Sequence, residues 1–102
     1  MRDEDVWADR RLTFTPRGSA EQRSVWVRLG RPYTSPGMGS WKCDVEIQEG
    51  SESHTTHACG EDSMQALQLA LRSIETSLKP YEDEGTLTWL GASKTGFPAS
   101  NV

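Results

Sequence analysis

Gly60-Glu61-Asp62-Ser63-Met64-Gln65-Ala66-Leu67-Gln68-Leu69-Ala70-Leu71-Arg72-Ser73-Ile74-Glu75-Thr76-Ser77-Leu78-Lys79-Pro80 is the stretch from which the fold is read. Asp62 suits an N-cap, and Gln65, three residues on, suits the return arm of a capping box. At about 100° per residue, Met64, Leu67, Ala70, Leu71, Ile74 and Leu78 share one face, and Gln65, Gln68, Arg72, Glu75, Thr76 and Lys79 the other. Pro80 has no N–H to donate and ends the predicted helix. A helix with one apolar side needs a surface to lie on.

The sequence before it supplies that surface as strands. Trp41 to Gln48 alternates: Trp41, Cys43, Val45 and Ile47 point one way, Lys42, Asp44, Glu46 and Gln48 the other. Arg11 to Thr15 and Val25 to Leu29 alternate too, with Leu12, Phe14, Val25, Val27 and Leu29 inward and Trp26 and Arg28 outward. Pro16 to Glu21 is a turn, and Gly30 to Ser40, rich in Gly, Pro and Ser, is a long connection. Ser53 to Cys59 returns as a polar, β-branched strand. One buried face and one wet face make the sheet antiparallel. A loop of Gly50 to Glu52 would set Ile47 opposite Thr55, Val45 opposite His57 and Cys43 opposite Cys59. Beyond the helix, Tyr81 to Gly85 reads as an acidic turn, and Thr86 to Leu90 as a short strand burying Leu87 and Trp89, or Trp89 and Leu90 at its end.

The expected fold is therefore α+β: a four-stranded antiparallel meander with one amphipathic helix packed on one face, extendable by a short fifth strand. Residues 1–9 read as a loose lead-in with Trp7 tucked against the sheet edge, 10–91 as the single domain, and 92–102 as a flexible tail.

Composition narrows the function. With 102 residues, 34% of them hydrophobic, the chain can build one thin core. Fifteen acidic against eleven basic residues give a net charge of −4, the opposite of the usual phosphate-backbone binder. No apolar run approaches the roughly 18 residues of a membrane span, so no membrane is expected. The charged N-terminus lacks the apolar core of a secretory signal, which leaves the cytoplasm and makes Cys43 and Cys59 free thiols.

Chemistry-bearing residues are few. His54, His57 and Cys59 are metal-ligand types, but in a strand His57 and Cys59 share one face and His54 takes the other. Even with Cys43 beside them the set is incomplete, and neither metal nor cofactor is expected. Cys59 with His57 would be a nucleophile and its base, yet both thiols are read as facing inward, so the chain is not expected to be an enzyme. Gly37-Met38-Gly39 precedes a strand rather than opening a helix and lacks the Lys-Ser/Thr ending of a phosphate loop.

What remains is surface. Trp26 beside Arg28 on the wet face has the composition of an interface hot spot, and Leu69 lies opposite the apolar stripe. Glu82, Asp83 and Glu84 form an acidic run suited to a basic partner. The expectation is a non-catalytic protein-binding module acting through these six residues by surface complementarity. The alternative is nucleic-acid binding by the first hairpin through Arg10, Arg11, Arg17, Arg23, Arg28 and Arg31. An open edge strand also permits a homodimer.

Gly30-Arg31-Pro32, Trp41-Lys42-Cys43 with Ile47 four residues later, and Gly60-Glu61-Asp62-Ser63-Met64-Gln65-Ala66-Leu67-Gln68-Leu69-Ala70-Leu71 together carry a resemblance. They resemble a family of small uncharacterised bacterial proteins, a domain of unknown function. Its pattern is Gly-x-Pro, Trp-x-Cys, then Gly-x-Asp-x-x-Gln-Ala-Leu-x-x-Ala-Leu. The resemblance runs over residues 11–80 and implies a bacterial origin and the fold, with no activity to transfer. A looser similarity, at the level of the fold, is to HicB-type antitoxins, whose three-stranded meander runs into a helix.

Overall fold

A computed structural model describes residues 1–99; the last three residues of the expected tail lie outside the described residues. The chain forms β1 (Val6–Pro16), β2 (Arg23–Gly30), β3 (Trp41–Glu49), β4 (Glu52–Gly60), α1 (Ser63–Glu84) and β5 (Gly85–Thr88), preceded by a 3₁₀ turn at Asp3–Asp5. The sheet order is β4-β3-β2-β1-β5, antiparallel throughout, with α1 packed on one face. The α+β meander with its short fifth strand is thus the fold.

The helix starts as its sequence dictates. Asp62 Oδ1 accepts the Gln65 N–H at 2.7 Å, while Gln65 Oε1 reaches past the cap to the Glu61 N–H at 2.7 Å. Its buried row is Ala66, Ala70, Ile74 and Leu78, each four residues from the next, with Leu67 and Leu71 half-buried beside it. Met64, expected on that face, is 61% exposed, because the first turn overhangs the end of the sheet and Ala66 takes the inward position. Burying Ile74 and Leu78 in full is worth about 1.5–3 kcal/mol each.

Pro80 does not end the helix. Its ring sits on the exposed side, and the Thr76 residue whose carbonyl it leaves unpaired is also exposed, so water can satisfy that group. One residue later Tyr81 meets Phe14 edge-on, centroids 5.2 Å apart at 77°, and fastens the last turn to the sheet. Glu82, Asp83 and Glu84 therefore form the last helical turn rather than a free turn. Arg17 closes it: its side chain donates to the Asp83 carbonyl at 2.9 Å and its backbone N–H to the Glu84 carbonyl at 2.8 Å.

The β3–β4 register differs from the expected one. Glu49 pairs with Glu52, leaving a two-residue loop of Gly50 and Ser51, with Gly50 at φ 60° as the first central position of a II′ turn prefers. Ile47 then faces His54, Val45 faces Thr56 and Cys43 faces Ala58. A one-residue slip turns every side chain of β4 over. His54, Thr56 and Ala58 take the helix side, while His57 and Cys59 take the open side, so Cys59 is exposed and only Cys43 is buried. At the end of β4, Gly60 touches the helix backbone at Gln65 and Ala66, and a Cβ there would stand 2.9 Å from the Gln65 carbonyl carbon.

Among the described residues, structure extends to both sides of 10–91. β1 begins at Val6, inside the expected lead-in, and a bulge between Val6 and Ala8 leaves Trp7 exposed. Past β5, the Trp89–Ala92 bridge turns the chain back, and Phe97 packs against the core. Arg10 is clamped there, its guanidinium 3.7 Å from the Trp89 ring and 4.7 Å from Phe97, donating to the Thr95 carbonyl at 2.8 Å.

Candidate functional site

The helix covers one face of the sheet and leaves the other open, and the most highly organised set of polar side chains stands on the open face. The ladder sets it up: Arg11 opposes Trp26, Asp9 opposes Arg28, and Arg28 opposes Glu46. Cross-strand neighbours on one face lie within side-chain reach. The Trp26 ring lies between the guanidinium groups of Arg11 and Arg28, each 4.3 Å from its centroid. Its Nε1–H donates to Asp9 Oδ2 at 2.6 Å. Both guanidiniums rest on the ring by cation–π attraction, and with the Asp9 hydrogen bond they restrict the indole's orientation.

Beneath this stack is a buried ion pair. Arg28 Nη1 donates to Glu46 Oε1 at 2.8 Å, and both side chains are less than a tenth exposed. Arg28 Nη2 donates to Asp3 Oδ1 at 2.5 Å, which draws the 3₁₀ turn over the rim of the face. Arg28 Nε has no hydrogen-bond partner among the described residues. An ion pair removed from water gains little net stability, but losing one member is expensive. The pair therefore fixes positions: it holds the lower guanidinium under Trp26 and ties β2 to β3 and the N-terminal turn.

At the rim, Tyr33 reaches Asp44 at 3.3 Å, and its backbone bridges to Lys42 in both directions at 2.8 Å. Partial burial, with Asp44 beside it, pushes the Tyr33 phenol above its usual value. Trp7 adds an exposed ring at the β1 bulge.

The expected interface residues do not form one patch. Trp26 and Arg28 are together on the open face, but Arg28 is buried by its ion pairs and acts from beneath. Leu69 is on the helix, in the other layer, and Glu82, Asp83 and Glu84 are at its C-terminal end. The six arginines are also dispersed. Arg10 is under the C-terminal segment, Arg11 and Arg28 flank Trp26, Arg17 caps the helix, Arg23 pairs with Glu49 at 3.3 Å, and Arg31 is exposed after β2. They make no continuous basic stripe.

The thiols are separated as well. Cys43 donates to the Gly30 carbonyl at 3.3 Å, and burial, reinforced by Asp44, pushes its pKa up to about 11, so it stays protonated. Cys59 and His57 point to the open side on the edge strand, and no hydrogen bond joins them among the described residues. Among those residues no three His, Cys, Asp or Glu groups converge as metal ligands.

The sequence profile of the Domain of unknown function (DUF6968) matches residues 8–99, from β1 through the returning C-terminal segment. The chain belongs to the DUF6968 family. Comparison with curated proteins and with solved structures gives no match. The match includes Asp9, Arg11, Trp26, Arg28 and Glu46, so the stack on the open face lies within the DUF6968 domain, whereas Asp3 precedes the matched residues. No helix is long and apolar enough to cross a membrane among the described residues.

Sequence reasoning found Trp26 and Arg28 but missed Asp9, Arg11 and Glu46 as their partners. Part of the signal was present: Arg11 and Glu46 stand at outward positions of expected strands, whereas Asp9 fell in the expected lead-in. Using it required the β1–β2 and β2–β3 registers together.

Proposed function

We propose that this chain is a non-catalytic protein-binding module of the cytoplasm that engages a protein partner through the open face of its sheet. The observation carrying this reading is the Trp26 ring, held between Arg11 and Arg28 and anchored by Asp9, on the face the helix leaves uncovered. Tryptophan and arginine are the residue types that concentrate binding energy at interfaces, and a side chain fixed before binding loses less entropy on docking. Arg11, exposed at the top of the stack, supplies guanidinium N–H groups for a partner's carboxylate or carbonyl oxygens, while the ring supplies apolar area. Small immunity proteins and antitoxins act in this manner, by surface complementarity without chemistry of their own. The dispersal of the six arginines favours a protein over a nucleic acid as partner.

The test is capture from a lysate of the source organism, with nuclease-treated eluates, comparing the native chain with Trp26→Ala and Arg11→Ala. A stoichiometric protein retained by the native chain and lost by both variants supports the reading. Equal capture by all three, or a bound species that nuclease removes, overturns it.

A further inference from the structure

The two edges of the sheet are unequal. β5 is four residues long and continues into the Trp89–Ala92 bridge. β4 is nine residues long, pairs with β3 without a bulge, and among the described residues has no strand on its other side. Edge strands are commonly guarded by lysine, proline or a bulge, and Ser53-His54-Thr55-Thr56-His57-Ala58-Cys59 has none of these and no carboxylate.

We propose that β4 pairs with β4 of a second copy, antiparallel about a two-fold axis, to form a continuous ten-stranded sheet. A dyad normal to the sheet keeps both helices on the same face. The register that uses all nine residues puts the axis at Thr56, with Ser53 opposite Cys59 of the second copy, Thr55 opposite His57 and Glu52 opposite Gly60. No like charges meet along it.

The helix supplies the second, independent reason for a second copy as the occupant. α1 lies chiefly over β3 and β4. Neighbouring strands are about 4.8 Å apart, so pairing across β4 sets the second helix beside the first on the same face. From Ser73 to Pro80 the flank that would face the second helix is small and weakly polar, with Glu84 at its far end. Thr76, Ser77 and Pro80 line a cavity with His54, which identifies the β4 side of the helix. Ser73 is on this flank, level with Thr56, given that Gly60 abuts Ala66 and His54 is beside Ser77. Leu69, seven residues before Thr76 and so on the same side, is the one large apolar residue there, still 38% exposed. Self-pairing covers it against the serine flank of the other helix, and the helices run antiparallel with opposed dipoles. This surface is separate from the Trp26 face and does not depend on the function proposed for it.

Sedimentation equilibrium and oxidative crosslinking test the proposal. The native chain is expected at twice its 11.4 kDa mass. Ser53→Cys, at an exposed position, is expected to give a covalent dimer through Cys59 of the second copy, lost again when Cys59→Ser is added. Leu69→Lys is expected to raise the dimer dissociation constant at least tenfold, with the circular dichroism of the native fold retained. A monomer at every concentration overturns the proposal and leaves the edge to a strand of another protein. A dimer that Ser53→Cys does not crosslink and Leu69→Lys does not weaken also overturns it.

Discussion

Val27 and Arg28 are neighbours on β2, 2% and 6% exposed, and they reach burial by opposite routes. Val27 turns toward the helix side and disappears among Leu12, Val45, Ile74 and the rest of the apolar core. Arg28 turns to the side with no helix and is buried by Trp26, Glu46 and the N-terminal turn. The inner face can be rebuilt with any apolar set of the right volume. The outer face works only as a set, since each charge needs its partner. A small domain that only had to fold would leave that face to scattered polar residues. Here it carries a stacked tryptophan, and this supports reading the inner face as structure and the outer as recognition.

The largest effect should come from unbalancing the outer face. Glu46→Ala leaves Arg28 buried with only the rim partner Asp3, and chemical denaturation should show a loss of about 3–5 kcal/mol. Joint replacement, Arg28→Met with Glu46→Leu, should recover part of that loss, because the desolvation burden of this pair goes with its charges, while the N-terminal ammonium, 3.5 Å from Glu46 Oε2, still loses its carboxylate. On the inner face Ile74→Ala should cost about 2–5 kcal/mol, with no second substitution of this kind to rescue it. Gly60→Ala comes next: its Cβ meets helix backbone, and the forced shift should cost about 1–3 kcal/mol in the same measurement.

The limits of the sequence reading follow the same division. Alternation in β2 and β3 and the helical period showed the inner face, because burial against one surface leaves a repeat in the chain. Ala66, Ala70, Ile74 and Leu78 were nearly all visible that way, and Met64 was misplaced only because the helix overhangs the sheet. The β4 register was not visible, because His54 to Cys59 has no apolar alternation to distinguish its faces and a one-residue difference in loop length decided the outcome. The end at Pro80 was misread for a tertiary reason, the Tyr81–Phe14 contact. On the outer face the residue types were legible, but their partnerships were not, since Asp9, Arg11, Trp26, Arg28 and Glu46 come from three strands.

Two smaller effects sharpen the contrast. Cys59, exposed on the open side, should react with a thiol reagent in the native protein, and Cys43 only on unfolding, as absorbance-monitored titration would show. The Cys43 pKa is raised from 9.0 to about 11, so its contribution to stability is complete below pH 9 and is lost as pH rises toward 11, where the unfolded thiol ionises first. Tyr33 and Tyr81, raised from 10.0 by burial first, act in the same direction. Stability should therefore fall across this range, less steeply in Cys43→Ala.

The most direct test compares Trp26→Ala and Ile74→Ala, measuring thermal stability and partner affinity for each. The account predicts opposite outcomes: Ile74→Ala melts much earlier but, below its transition, binds with native affinity. Trp26→Ala melts less far below the native chain, losing about 0.5–1 kcal/mol at the exposed Arg11 contact and about 2 kcal/mol at the buried Arg28 contact, and loses the partner. Native affinity in Trp26→Ala would contradict the account and reduce the stack on the open face to a structural feature.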